Sequence, residues 1–147
     1  MAGQVLLIFL EGAVSYPAFA ALPPRDAFGW VSLAGGVVLL AAAASIVYRG
    51  IDDLGSNLTA FPAPRPEAEL VETGIYSRVR HPIYAGVIGV AVGWAFFVVS
   101  LPALVVALLL AAWLDLKSRR EEVWCVAHHP GYDAYQRRTA RFVPGLY

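Results

Sequence analysis

Between residues 82 and 114 the chain carries no charged side chain. Wound as one helix, that run would reach roughly 50 Å, well past the roughly 30 Å hydrocarbon core of a bilayer, which takes about 20 apolar residues per span. The run therefore has to fold back on itself. Ser100-Leu101-Pro102 is the place where turn-favouring residues interrupt it. A helical hairpin follows, with arms at 82–99 and from 102 onward. The second arm is short for a span unless it continues past Asp115 into the cytosol, and the sequence predicts that continuation to about His128.

Two more apolar runs precede the hairpin. One covers 3–22, broken only by Glu11 and Pro17, and the other covers 28–48 without a charge; Pro23-Pro24-Arg25-Asp26 makes a turn between them. Of the 147 residues, 59% are hydrophobic and 15% charged, against about 45–50% apolar in a soluble domain, so the chain reads as a single integral-membrane domain. Ten of the eleven Lys and Arg residues fall in 49–80 or after 114, and only Arg25 lies in the other loop. By the positive-inside rule both basic regions face the cytoplasm. The expected fold is an all-α, polytopic membrane bundle of four spans (3–22, 28–48, 82–99, and 102–128 with its cytosolic continuation), both termini inside.

Other features narrow the class. A formal net charge of +0 argues against nucleic acid as a partner. The N-terminus lacks the basic region and cleavage site of a signal peptide and reads as mature sequence. One cysteine, Cys125, excludes an internal disulfide or an all-cysteine metal site and reads as structural. The loop 50–72, with Asn57, Pro62, Pro64 and Pro66, is expected to be irregular, with a short surface-lying piece around 54–61. No internal repeat or low-complexity linker is present. Ala41 to Ala44 offer the small packing surface common between spans.

Three segments carry chemistry. The first is Tyr76, Arg78, Arg80, His81, Pro82 and Tyr84. Pro82 suits the first turn of a helix and biases His81 to extended backbone, so Arg80 and His81 stand at a helix mouth where N–H groups and the dipole favour an anion. They either capture a carboxylate or phosphate or simply anchor the span to headgroups. The second runs from Asp115 to Glu122. Asp115 pairs with Arg119 and Lys117 with Glu121 at i,i+4, either as a solvated helix end or with one glutamate turned inward to bind an ammonium. The third is the tail from Gly131 to Pro144, whose alternating aromatics and arginines suit an interfacial lid or a polybasic lipid contact. Glu11, with Ser15 on its face, is an intramembrane carboxyl of either functional or packing origin. His128-His129 point apart on a helix and lack a third ligand, so no metal site is expected. No nucleotide-binding glycine motif is present.

Taken together these segments resemble the integral-membrane methyltransferases of the isoprenylcysteine carboxyl methyltransferase and phospholipid methyltransferase superfamily. The carrying residues are Leu70-Val71-x-x-Gly74-Ile75-Tyr76, Arg80-His81-Pro82-x-Tyr84-x-Gly86, Arg120-Glu121-Glu122, Tyr132-x-x-Tyr135 and Arg141-Phe142-Val143-Pro144, in the right order and spacing over about half the chain. The resemblance implies S-adenosylmethionine as cofactor, bound through segments 68–86 and 117–144, with contacts at Glu69, Leu70, Val71, Tyr76, Arg80, His81, Pro82, Tyr84, Glu121 and Glu122. It places Lys117 where the prenylcysteine enzymes have a substrate-contacting arginine, and implies catalytic roles for Glu121, Lys117 and Arg80.

On this reading the cofactor's carboxylate goes to His81 with Arg80, and its ammonium to Glu121 or the neighbouring Glu122. The cofactor enters from the cytosol and a lipophilic acceptor enters from the bilayer among membrane lipids. The expected reaction is most like carboxyl O-methylation of isoprenylcysteine. Methylation of a phospholipid or small thiol, NADPH-dependent reduction of the sterol-reductase kind, and a non-catalytic membrane module are the alternatives. High Ala, Val and Arg content hints at a GC-rich bacterial genome, hence an inner-membrane protein with its site facing the cytoplasm.

Overall fold

A computed structural model describes residues 2–22, 26–57 and 70–145. Five α-helices account for most of them: α1 (Ala2–Ala20), α2 (Ala27–Leu54), α3 (Pro82–Phe97), α4 (Leu101–His128) and α5 (Tyr132–Arg138), with single 3₁₀ turns at Gly55–Asn57 and Gly74–Ser77. Among the described residues the only extended pairing is one parallel bridge between Val79 and Ala140. The chain divides into two compact units. The first takes in Met1–Ser45 and Gly86–Leu114, the second Ile46–Ala85 and Asp115–Tyr147.

In the first unit the helix ends follow from local chemistry. Asp26 precedes α2, and its Oδ1 accepts the Gly29 N–H at 2.7 Å, a side-chain cap on an otherwise unpaired donor. The hairpin turns where the sequence indicates. The N–H groups of Val99 and Ser100 close back on the carbonyls of Phe96 and Ala95, the double closure that terminates many helices. The left-handed position in that closure, usually glycine, is Val99 at φ 53, a strained setting for a β-branched residue. Ser100 Oγ then accepts the Ala103 N–H at 3.3 Å and caps α4.

The same unit packs α2 against α3 through missing side chains. A Cβ on Gly36 would collide with the Phe97 backbone, one on Gly89 would meet Ala43 Cβ at 2.8 Å, and one on Gly93 would meet the Leu40 backbone nitrogen at 3.0 Å. Positions 36, 40 and 43 share one face of α2, and 89 and 93 share one face of α3, so the pairs run antiparallel. Ser32 Oγ adds a bond to the Phe96 carbonyl at 2.9 Å. Close backbone approach between small residues is how helices associate in lipid, where apolar burial offers no net drive.

Three helices, α1, α2 and α4, are long and apolar enough to cross a membrane, whereas α3 is apolar but has 16 residues, about 24 Å of rise. Helix α2 runs to Leu54, six residues past the expected end at 48. Arg49, Asp52 and Asp53 stop the apolar pattern but not the backbone hydrogen bonding. Of the expected piece at 54–61, residues 55–57 form the 3₁₀ turn and 58–61 lie outside the described residues.

Helix α4 carries one buried stripe: Ala103, Val106, Ala107, Leu110, Leu114, Ser118 and Glu122. Its apolar part ends at Leu114. Residues 115–128 are the charged extension, which belongs to the second unit.

The second unit is held by polar ties. Gly74 adopts φ 57, with the Asp53 carboxylate where a Cβ would project, and that carboxylate accepts the Ile75 N–H at 2.6 Å. Tyr76 donates to the Gly50 carbonyl at 3.1 Å, and its own carbonyl accepts the Tyr135 hydroxyl at 2.7 Å. The tail returns beside residues 78–81: Arg80 N–H donates to Ala140 O (2.9 Å), His81 N–H to Arg141 O (3.1 Å) and Ala140 N–H to Arg78 O (3.0 Å).

Candidate active site

Pro82 opens α3 as the sequence indicates, and the His81 carbonyl accepts the Ala85 N–H, completing the first turn. The backbone amides of Arg80 and His81, just outside that turn, are already engaged. Both donate to the tail, since a buried N–H left unpaired is costly and the returning strand supplies carbonyls at the right spacing.

The centre of the second unit is Glu122. Its side chain is 3% exposed. Oε1 accepts from Arg80 Nε at 2.8 Å, His81 Nε2 at 3.2 Å and Arg141 Nε at 3.3 Å; Oε2 accepts from Gln136 Nε2 and Arg141 Nη2, both at 2.9 Å. Burial alone would raise this carboxyl, but the donors on His81, Arg141 and Arg80 more than offset it and hold Glu122 well below the usual carboxylate range. A carboxylate that accepts five donations has little capacity left for a ligand. Glu122, also expected as an alternative cofactor contact, ties the segment before α3, α4, α5 and the tail within this unit.

Arg80, expected to be catalytic and to touch the cofactor, is drawn into the same knot. Its side chain is 7% exposed. Besides Glu122 it donates through Nη1 to the Gln136 carbonyl at 2.9 Å and to the Thr139 carbonyl, closing the C-terminal end of α5. Tyr76 and Pro82, also expected at the cofactor, are buried, and Tyr76 spends its hydroxyl and carbonyl on the scaffold. Burial, ahead of nearby charges, pushes the partner hydroxyl of Tyr135 up to about 12, so it stays a donor at neutral pH.

One turn away the arrangement is more open. The side chain of Glu121 is 20% exposed and that of Lys117 is 22%. The Tyr84 hydroxyl lies 2.8 and 2.9 Å from the two Glu121 oxygens, which share its proton. Lys117 Nζ is 3.8 Å from Glu121 Oε1 and 4.9 Å from the Tyr84 ring centroid. His81 stacks on Tyr84 with centroids 5.4 Å apart and planes 12° from parallel, and its other neighbour is Phe142 at 6.1 Å. His81 Nδ1 lies 3.9 Å from Glu121 Oε2. Both expected i,i+4 pairs form: Lys117 with Glu121, and Arg119 with Asp115 at 2.8 Å.

His81, Tyr84, Lys117 and Glu121 are thus brought together. Leu70 and Val71 are half-buried at the start of the described segment, and Glu69 lies outside the described residues. Sequence reasoning missed Gln136, Thr139 and Asp53 as structural partners. It also missed a usable signal for Glu122, which lies four residues beyond Ser118 on the stripe set by Leu110 and Leu114, whereas Glu121 is offset by one. Cys125, half-buried on the same helix, has its thiol pushed up, first by burial and then by the Glu121 charge, which keeps it protonated and unreactive. Among the described residues no group of three or more His, Cys, Asp and Glu side chains is disposed to hold a metal ion.

Comparison with known proteins gives consistent findings. A family model described as phospholipid methyltransferase matches residues 31–129. The nickel-cobalt-cadmium resistance protein NccN of Alcaligenes xylosoxydans xylosoxydans is 36% identical over 87 residues, 56% of this chain. This chain spans 39% of that relative's length. The solved structure of the eukaryotic intramembrane Ras methyltransferase ICMT (isoprenylcysteine carboxyl methyltransferase) superposes with a TM-score of 0.76 at 20% identity, over 99% of this chain and 53% of that one. The likeness establishes the fold: an all-α, polytopic integral-membrane architecture.

Proposed function

Because the chain belongs to the phospholipid methyltransferase family, we propose that it transfers a methyl group from S-adenosylmethionine to a lipophilic acceptor at the cytoplasmic face of the membrane, in a reaction of the isoprenylcysteine carboxyl O-methylation type. In this reading the four apolar helices are spans and both termini lie inside. The observation that carries the proposal is the partly exposed Glu121 carboxylate bonded to the Tyr84 hydroxyl, beside a neighbouring glutamate that is buried and fully engaged.

The residues present fit the cofactor's charged end. An amino-acid terminus bears an ammonium and a carboxylate on one carbon, and Glu121 Oε2 and His81 Nδ1 offer an acceptor and a ring nitrogen 3.9 Å apart. Glu121 would take the ammonium, and His81 would take the carboxylate with a proton on Nδ1 in addition to the one that Nε2 gives to Glu122. The Tyr84 ring gives a face for positive charge. When bound, S-adenosylmethionine supplies a methyl group activated by its sulfonium charge.

Everything else is positioning. Glu122 fixes the His81 ring through Nε2 and leaves Nδ1 on the Glu121 side. Arg80 locks α5 so that Phe142 stays against His81. A carboxylate acceptor is already ionised at neutral pH and needs no base, so the protein's task is alignment and exclusion of water. The family match favours this reading over a nicotinamide-dependent reductase or a non-catalytic module. The same match, by its description, keeps a phospholipid acceptor as the second reading.

The test is titration calorimetry of S-adenosylmethionine on the detergent-solubilised protein, followed by a methyl-transfer screen over lipid extracts. We expect saturable binding that Glu121→Gln weakens at least tenfold, about 1.4 kcal/mol or more. Equal affinity of the two proteins would remove Glu121 from the site.

A further inference from the structure

A carboxylate next to an aromatic face is a recognition pair for an organic cation. In this protein that pair already holds one. Lys117 Nζ sits 3.8 Å from Glu121 Oε1 and 4.9 Å from the centroid of Tyr84, the ring whose hydroxyl bonds the same carboxylate. The contact is a loose one. Its length is at the outer edge of an ion pair, both partners are partly exposed, and Lys precedes Glu along the helix, the less favourable order for an i,i+4 pair. The neighbouring arrangement shows what a permanent ion pair looks like here: Arg80 and Glu122 meet at 2.8 Å with side chains 7% and 3% exposed.

We propose that Lys117 is a resident cation in the cofactor's cation subsite, covering Glu121 and Tyr84 until the cofactor's ammonium takes Glu121 and its sulfonium takes the Tyr84 face. The inference rests on the cofactor reading above and assigns Lys117 a role toward the cofactor itself. Lysine suits the task because its charge is a compact, strongly hydrated point on a flexible stem. Two consequences follow. The empty site carries no unpaired carboxylate that would attract any passing cation, so entry is limited to ligands able to outcompete the lysine. Once the methyl group has left, the sulfonium has become a neutral thioether, and Lys117 can return to the Tyr84 face. The subsite therefore discriminates between the charged methyl donor and its demethylated product.

Affinity for a ligand falls in proportion to the fraction of molecules whose site is open, so emptying the subsite by mutation strengthens binding. We expect Lys117→Met, which keeps the stem and removes the charge, to bind S-adenosylmethionine about three- to tenfold more tightly by calorimetry. The preference for S-adenosylmethionine over S-adenosylhomocysteine should shrink, and Lys117→Arg should restore wild-type behaviour. Weaker binding by Lys117→Met would mean that the ammonium holds the cofactor's carboxylate, and unchanged binding would mean that Lys117 lies outside the subsite; either overturns the proposal.

A second probe separates this idea from the cofactor assignment. Trimethylsulfonium ion alone, followed by saturation-transfer NMR, should bind Lys117→Met better than wild type and lose that gain in Lys117→Met/Glu121→Gln. If the nucleotide binds neither protein while trimethylsulfonium still distinguishes them, the cofactor reading falls and the resident-cation role stands. If trimethylsulfonium does not distinguish them, the resident-cation role is refuted.

Discussion

The two units solve the problem of holding helices together in opposite ways. In the first, Gly36, Gly89 and Gly93 remove side chains so that α2 and α3 touch through backbone and methyl groups, and Ser32 adds a polar tie between them. In the second, a buried carboxylate draws two arginines, a histidine and a glutamine from three other elements. A membrane core penalises unpaired polarity and offers only contact. A unit rich in polar groups can build with charge if every charge is satisfied. The glycine contacts leave no chemistry exposed, whereas the carboxylate knot holds His81 and, one position along α4, presents Glu121.

The largest expected effect breaks the second kind of construction. Glu122→Ala leaves Arg80 and Arg141 buried without their shared partner, and removing one member of a buried ion pair costs about 3–5 kcal/mol. Chemical denaturation in detergent should show that loss, and cofactor binding should go with it because His81 is no longer held. A loss below about 1 kcal/mol would place the unit's stability elsewhere. The sign of the acid response follows from the same group. Glu122 is held below its ordinary value of 4.5 in the folded protein, so it contributes stability above that pH. The contribution drains away as pH falls below 4.5 toward the folded value. Glu122→Gln should flatten that part of the acid denaturation profile while leaving the neutral-to-alkaline part unchanged in shape.

The sequence exposes the first unit far better than the second. Uncharged runs, a proline at the start of α3, and the interruption at Ser100 to Pro102 are local signals, and the helices obey them to within about two residues, the ordinary scatter of helix ends. The end of α2 departs further, because charge at Arg49, Asp52 and Asp53 marks the end of an apolar surface rather than of a helix. The knot on Glu122 is harder to read. Its partners stand 14 to 42 residues away along the chain, so no local pattern announces it. Arg80 looks like a ligand-binding arginine from sequence, and only the returning tail reveals that its donors are engaged. Glu121, Tyr84, His81 and Lys117 were legible as candidates because each sits in a short local pattern, at the mouth of α3 or along the charged end of α4.

Contact packing gives the next effect. A Cβ at Gly36 would enter the Phe97 backbone, which cannot yield as a flexible side chain would. Gly36→Ala should force α2 and α3 apart and cost about 1–3 kcal/mol, as overpacking does. Gly12→Ala, where nothing lies within 4 Å, is the matched control and should cost nothing in the same detergent unfolding assay, alanine being the better helix former. Equal behaviour of the two would dissolve the contrast between the units.

Gly74→Ala probes a smaller tie in the second unit. The position needs φ 57 and already faces the Asp53 carboxylate. Left-handed backbone costs a non-glycine residue roughly 1–2 kcal/mol, and the Asp53 bond to Ile75 should be disturbed as well. Hydrogen exchange at Ile75 should speed up in the variant while amides of α1 keep their protection.

The smallest effect comes from two arginines that share one carboxylate. Asp115 meets Arg119 at 2.8 Å and Arg141 at 3.2 Å, so distance alone would rank Arg119 first. Exposure reverses the order: the Arg119 side chain is 54% exposed and that of Arg141 is 14%. An exposed i,i+4 pair is screened by water and contributes about 0.3–0.5 kcal/mol, whereas Arg141 also reaches Glu122 at 2.9 Å. Arg119→Ala should therefore leave the unfolding midpoint within error of wild type, and Arg141→Ala should lower it clearly. If the two variants lose the same stability, the second unit is held by pairwise charge contacts in general rather than by the buried carboxylate at its centre.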